Sequence, residues 1–124
     1  MFQILIVEDD KELSQLFQKV LEKNGYQVKS ASDGAQALEV LDKEYIDLII
    51  SDIMMPVMDG IELCSKIKND IRLSHIPVIL LTAKGEVEHK IEGYESGADE
   101  YISKPFNLKL LMVRINNIIR QRNE

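Results

Sequence analysis

The side chains that could do chemistry in this 124-residue chain are Glu8, Asp9 and Asp10, then Asp52, Thr82 and Lys104. Each stands at or just past the C-terminal end of a predicted strand: 4–7 before the three acids, 46–51 before Asp52, 76–81 before Thr82, and 100–102 ahead of Lys104. Clustered carboxylates repel one another and stay ionised beside a compensating charge, which a hard divalent cation with oxygen ligands provides. Mg²⁺ is the natural candidate. A carboxylate in such a site can serve as the nucleophile toward phosphorus. The oxygens of a phosphoryl group arriving on Asp52 would need positive charge and donors, and the Lys104 ammonium and Thr82 hydroxyl can supply them. Phosphoryl transfer asks little more of a protein than positioning and electrostatics. Taken singly, each residue has an ordinary reading. Asp10 can cap a helix, Thr82 can be a cap or a loop hydroxyl, Lys104 can be solvated, and Asp52 can be a loop acid. Their coincidence favours a site.

The elements needed to bring them together are legible as periodicity. The run 4–7 reads as a strand, and Leu13, Leu16, Phe17, Val20 and Leu21 recur at helical spacing until Asn24-Gly25 stops them. Tyr26, Val28 and Ser30 alternate as an edge or half-buried strand. Ser32 or Asp33 can cap the next helix, whose face is Ala37, Leu38 and Leu41. Residues 46–51 form the central strand, and a turn over 56–60 leads to a third stripe of Ile61, Cys64 and Ile67. A polar connection over 69–75 precedes strand 76–81, with Pro77 tolerated near its start. The segment 84–97 reads as a poor fourth helix, with Gly85 and Gly93 inside it and a thin stripe of Val87, Ile91 and Tyr94. Gly97 is its expected C-cap. A short fifth strand over 100–102 follows, closed by Lys104-Pro105. Asn107 can cap a last helix carrying Leu108, Leu111, Ile115, Ile118 and Ile119. Five βα units of crossover length imply an α/β fold: one mostly parallel sheet with helices on both faces, ligands binding at the strands' C-terminal ends.

Composition fits one globular domain. Hydrophobic residues make up 45% and charged residues 29%, with net charge −6. That balance argues against nucleic-acid binding by this domain and permits a cation site. The single cysteine, Cys64, excludes an intrachain disulfide and fits a reducing compartment. No signal peptide and no apolar run long enough to cross a bilayer is present, so a cytoplasmic domain is expected. His75 and His89 lie in polar surroundings and read as solvated.

At this point the residues resemble a family. Ile4-Leu-Ile-Val-Glu-Asp-Asp10, Asp52-Ile-Met-Met-Pro-Val-Met-Asp-Gly60, Leu81-Thr-Ala-Lys84 and Gly97-Ala-Asp-Glu-Tyr-Ile-Ser-Lys-Pro-Phe106 are similar to the receiver domain of two-component response regulators. The likeness covers essentially the whole chain. It implies a flavodoxin-like (βα)5 fold with strand order 2-1-3-4-5. It implies Asp52 as phosphoacceptor, with Mg²⁺ held by Asp9, Asp52 and the backbone carbonyl of Met54, and by Glu8 through water. Thr82, Lys104 and the backbone of Ala83 would bind the phosphate, Thr82 and Tyr101 would be the switch pair, and the Lys104–Pro105 peptide would be cis. Met54 and Lys84, each two residues past a site residue, would tune the phosphoryl lifetime. The switched surface would be the fourth helix, fifth strand and last helix, which could also form a homodimer.

A narrower likeness is carried by Asn69-Asp-Ile-Arg-Leu-Ser-His-Ile-Pro-Val-Ile-Leu-Leu-Thr-Ala-Lys84 and Lys90-Ile-Glu-Gly93. These resemble receivers built into the hybrid sensor kinases of Bacteroides. That resemblance implies residues 1–124 as one receiver domain from a longer chain anchored in the inner membrane. The phosphodonor would be a histidine kinase domain of the same chain or its dimer mate, and the output an AraC-type DNA-binding domain. Other readings are a standalone receiver acting as a phosphorylation-dependent adaptor and a small Mg²⁺-dependent aspartyl phosphatase. The second would want its nucleophile in an Asp-x-Asp after strand one, where this chain has Glu-Asp-Asp. A flavodoxin-like cofactor module would want a Gly/Ser/Thr-rich phosphate loop there, and three acids oppose it.

Overall fold

The computed structural model describes residues 2–82, 95, 97–103 and 107–122. In chain order these form β1 (Gln3–Val7), α1 (Lys11–Lys23), β2 (Gln27–Ala31), α2 (Gly34–Lys43), β3 (Leu48–Asp52), α3 (Gly60–Lys68), β4 (Val78–Thr82), β5 (Glu100–Ser103) and α4 (Leu108–Arg122). All strand pairings are parallel and the sheet order is β2-β1-β3-β4-β5. The doubly wound, flavodoxin-like arrangement expected of the sequence is the one observed.

Side-chain alternation along the strands builds two cores. Leu5, Val7, Ile49, Val78 and Leu80 point to one face, where they meet Ala37 and Leu41 of α2 and Leu63, Cys64 and Ile67 of α3. Ile4, Ile6, Leu48, Ile50, Ile79 and Leu81 point to the other, against Phe17 and Leu21 of α1 and Leu111 and Ile115 of α4. Strands buried on both faces are apolar at nearly every position, which is why β3 and β4 read as apolar runs until the polar residues at their C-terminal ends, Ser51 and Asp52 in one and Thr82 in the other. Each such side chain contributes about 1.5–3 kcal/mol by leaving water.

The helices begin on acids. Asp10 accepts from the backbone N–H groups of Glu12 and Leu13, Asp33 from Gln36, and Asp59 from Glu62. Each cap is worth about 1 kcal/mol. At the N-terminal edge of the sheet, Lys68 Nζ donates to the Ile76 carbonyl at 2.7 Å and pairs with Asp99 at 2.9 Å. Asp99 in turn accepts the Val78 N–H at 2.8 Å, tying α3 to the start of β4 and β5. Arg114 of α4 pairs with Glu100 of β5.

Several boundaries differ from the sequence expectation. β3 starts at Leu48, not residue 46, and takes in Asp52; Ile46 is buried just ahead of it. β4 is shifted to 78–82, with Pro77 outside, because the first paired residue is Val78, opposite Ile49. In α3 the buried face is Leu63, Cys64 and Ile67, while Ile61 is only partly buried. The polar connection 69–75 hides Leu73 in the core. Gly97, the expected C-cap, has φ +97°, a left-handed backbone suited to glycine. Of the rest of the predicted helix over 84–97, Glu95 alone is among the described residues, and it is helical. No helix among the described residues is long and apolar enough to cross a membrane.

Candidate functional site

Strand register brings the chemical residues to one edge. Val7 stands opposite Ser51, Asp52 opposite Leu81, and Thr82 opposite Ser103, so the C-terminal ends of β1, β3, β4 and β5 are level. Glu8 leaves β1 directly, its N–H donating to the Ala31 carbonyl at 3.0 Å, and its side chain is buried. Asp52 is the last residue of β3 and is 9% exposed. Thr82 is the last residue of β4 and is also buried.

The three consecutive acids have separate jobs. Asp10 is consumed as the α1 cap, holding Glu12 and Leu13 N–H groups at 3.0 and 3.3 Å. Glu8 Oε2 accepts the Asp10 N–H at 3.2 Å, which keeps its carboxylate turned over the strand ends. Glu8, Asp9 and Asp52 each offer a carboxylate oxygen, and these atoms lie within 4.8 Å of one another. Glu8 and Asp52 are buried and Asp9 is exposed, so the cluster opens to solvent on the Asp9 side. Carboxylates this close repel strongly in a partly buried setting. An all-oxygen, anionic donor set fits a hard divalent cation and suits Mg²⁺ by charge and ligand type.

Asp52 is held from behind. Its Oδ1 accepts the Ile53 N–H at 3.1 Å, and its carbonyl oxygen accepts the Ser51 hydroxyl at 2.8 Å. Beyond it, Ile53 is buried in the core while Met54 is 62% exposed beside the site. Tyr101 is buried, paired in register with Leu80 of β4. Ala83, Lys84, Lys104 and Pro105 lie outside the described residues.

Two glycines stand at the rim of the site. Gly34 and Gly60 each follow a capping aspartate and open a helix. A Cβ at Gly60 would fall 2.1 Å from the Asp52 carbonyl oxygen, and one at Gly34 would fall 2.7 Å from Met58 Cγ. Their signal was a poor helix former placed at the first helical position, twice, in the same Asp-Gly order.

The model of the response regulator receiver domain matches residues 4–116. The chain belongs to the receiver-domain family. Among related receivers, histidine kinase P4 of Formosa agariphila is 55% identical over 119 residues, 96% of this chain and 9% of that protein. The DNA-binding dual master transcriptional regulator RpaA of Synechocystis is 39% identical over 118 residues, 95% of this chain and 49% of that protein. The chain therefore spans about half the length of that regulator and a small fraction of the kinase. Among solved structures, the receiver domain of a signal transduction histidine kinase from Syntrophus aciditrophicus superposes with a TM-score of 0.93 at 36% identity, covering 98% of this chain and 92% of that one. This receiver is thus a phosphoacceptor module of two-component signalling, carrying the acidic cluster of Glu8, Asp9 and Asp52 at its strand ends.

Proposed function

We propose that Asp52 takes a phosphoryl group from a kinase phosphohistidine and that the change is read by an output domain. The observation that carries this is the position of Asp52. It ends a fully buried strand with Glu8 and Asp9 carboxylate oxygens within 4.8 Å. Asp9, Asp52 and the Met54 carbonyl would hold Mg²⁺, with Glu8 acting through water. Bound there, the cation supplies positive charge to the phosphoryl oxygens and offsets the acid cluster.

The chain's own residues do the rest. A carboxylate oxygen of Asp52 attacks phosphorus in line, forming an O–P bond as the P–N bond breaks, and the imidazole leaves with the electron pair. The Ile53 N–H on Oδ1 and the buried strand behind it hold the attacking group in place. Lys104 and the Ala83 backbone would bind the new oxygens. Thr82 would turn its hydroxyl toward them, and Tyr101 would move into the space it leaves. This would shift the population of the surface formed by segment 84–97, β5 and α4, by an amount worth a few kcal/mol. A homodimer through that surface is part of the same reading.

The likeness to a Formosa histidine kinase and to a DNA-binding regulator supports a kinase partner and a transcriptional output in the parent chain. Our finer reading is a receiver of the Bacteroides hybrid-kinase type, residues 1–124 forming one module of a membrane-anchored protein with an AraC-type output. The receiver itself would work in the cytoplasm and, with net charge −6, would not bind nucleic acid directly. Incubation with Mg²⁺ and a small phosphodonor should add one phosphoryl group to the wild type and none to Asp52→Ala, and EDTA should abolish the reaction. Equal labelling of the two proteins would overturn the assignment.

A further inference from the structure

The loop between Asp52 and α3 is pinned at its base and at its tip. At the base the Gly60 N–H donates to the Ile53 carbonyl at 2.8 Å. At the tip the Met58 N–H donates to the Pro56 carbonyl at 2.7 Å, across Val57 at φ +69°. A turn of this kind with a left-handed, β-branched centre is strained and persists only where its surroundings impose it. Met58 is what imposes it. Its side chain packs against the core cluster, its carbonyl accepts the Gly34 N–H at 3.2 Å, and it lies over Gly34 so closely that a Cβ there would fall 2.7–2.9 Å from Met58 Cγ, Sδ and Cβ. The φ of Gly34 is not positive, so glycine is needed there for space and not for backbone conformation.

We propose that Met58, seated on Gly34, is a positioning residue for the cation side of the acceptor site. It fixes the loop 53–59 and so fixes the Met54 carbonyl relative to Asp9 and Asp52. This rests on the reading above that these three groups ligate Mg²⁺. Mg²⁺ demands near-octahedral geometry at about 2.0–2.1 Å and tolerates little ligand displacement. A latch that sets one ligand to within a few tenths of an ångström therefore acts on affinity. Gly34→Ala is a discriminating probe. Alanine is the better helix former, so the helix should gain, while the added methyl pushes Met58 and its loop outward. A purely structural role predicts an unchanged or improved site; a positioning role predicts a weaker one.

The test is Mg²⁺ titration of the 124-residue chain carrying ¹³C-methyl methionine, read by the Met54 methyl resonance and by calorimetry, with thermal unfolding in parallel. Gly34→Ala should bind Mg²⁺ at least about tenfold more weakly, about 1.4 kcal/mol, without losing its fold. Met58→Leu, which keeps the bulk, should stay near wild type, while Met58→Ala should weaken as Gly34→Ala does. If Gly34→Ala does not fold, the Met58→Leu and Met58→Ala pair decides alone. Wild-type Mg²⁺ affinity in Gly34→Ala and Met58→Ala would overturn the proposal. Asp9→Asn separates the two levels: wild-type affinity in that variant would overturn the ligand assignment, and the latch with it.

Discussion

Gly60 touches Asp52 through the backbone: a Cβ on Gly60 would stand 2.1 Å from the Asp52 carbonyl oxygen and 3.0 Å from its carbonyl carbon. The start of α3 lies directly on the end of β3, and neither group is a flexible side-chain tip that could move aside. Gly60→Ala should therefore lower unfolding free energy by about 2–3 kcal/mol, the cost of overpacking a close contact. Helix propensity alone would predict a gain of up to about 1 kcal/mol. Urea denaturation distinguishes the signs. The variant should also label poorly with a phosphodonor, because the strand end must shift.

Val57 should improve when replaced. It is 82% exposed, so little packing is lost, and its φ of +69° is costly for a β-branched residue. Relief of left-handed strain is worth about 1–2 kcal/mol. The added chain entropy of glycine takes back about 0.5–1 kcal/mol. Val57→Gly should raise the thermal midpoint modestly, and a lower midpoint would contradict the strain.

Met54 should set how long the phosphoryl group survives. Its side chain is 62% exposed beside Asp52 and offers an attacking water no hydrogen bond. Met54→Asn supplies one, worth about 1–1.5 kcal/mol and hence roughly tenfold in decay rate. Following the phosphorylated fraction after donor removal measures it. An unchanged rate would remove Met54 from the list of tuning residues.

Acid titration should reveal a local tie on the opposite edge of the sheet. Asp70 accepts from the Arg72 side chain at 3.0 and 3.3 Å and from the Arg72 N–H at 2.9 Å, which holds its carboxyl below the ordinary carboxylate value. A depressed folded-state pKa means the stabilisation is present above the unfolded value and lost as pH falls through the folded one. Asp70→Asn should therefore be slightly less stable than wild type at neutral pH, and the difference should vanish once Asp70 is protonated. Because the pair is solvent-exposed, added salt should shrink the difference as well.

The strands were legible because their burial is two-sided or alternating, and that pattern survives in the sequence whatever the rest of the chain does. The convergence of Glu8, Asp9 and Asp52 was legible for a related reason: parallel strands place all their C-terminal ends on one edge. Rotation about a helix axis was not. The α3 stripe was expected at Ile61, Cys64 and Ile67; Cys64 and Ile67 are buried, but Leu63 joins them while Ile61 is only partly buried. Leu73 escaped notice because its neighbours Asp70 and Arg72 form a polar turn around it. The contact between Gly34 and Met58 links residues far apart in sequence through space alone, and no local pattern encodes it.

Glu8, Asp52 and Thr82 are attached to the ends of β1, β3 and β4, the three strands with neighbours on both sides. Amides at the centre of such strands, Ile6, Ile50 and Leu80 among them, should exchange with solvent only when the whole domain opens. The acidic cluster is thus attached to the interior strands of the sheet. Partial denaturation should leave the acids converged until the cooperative transition, so the exchange protection of these amides and metal uptake should be lost together.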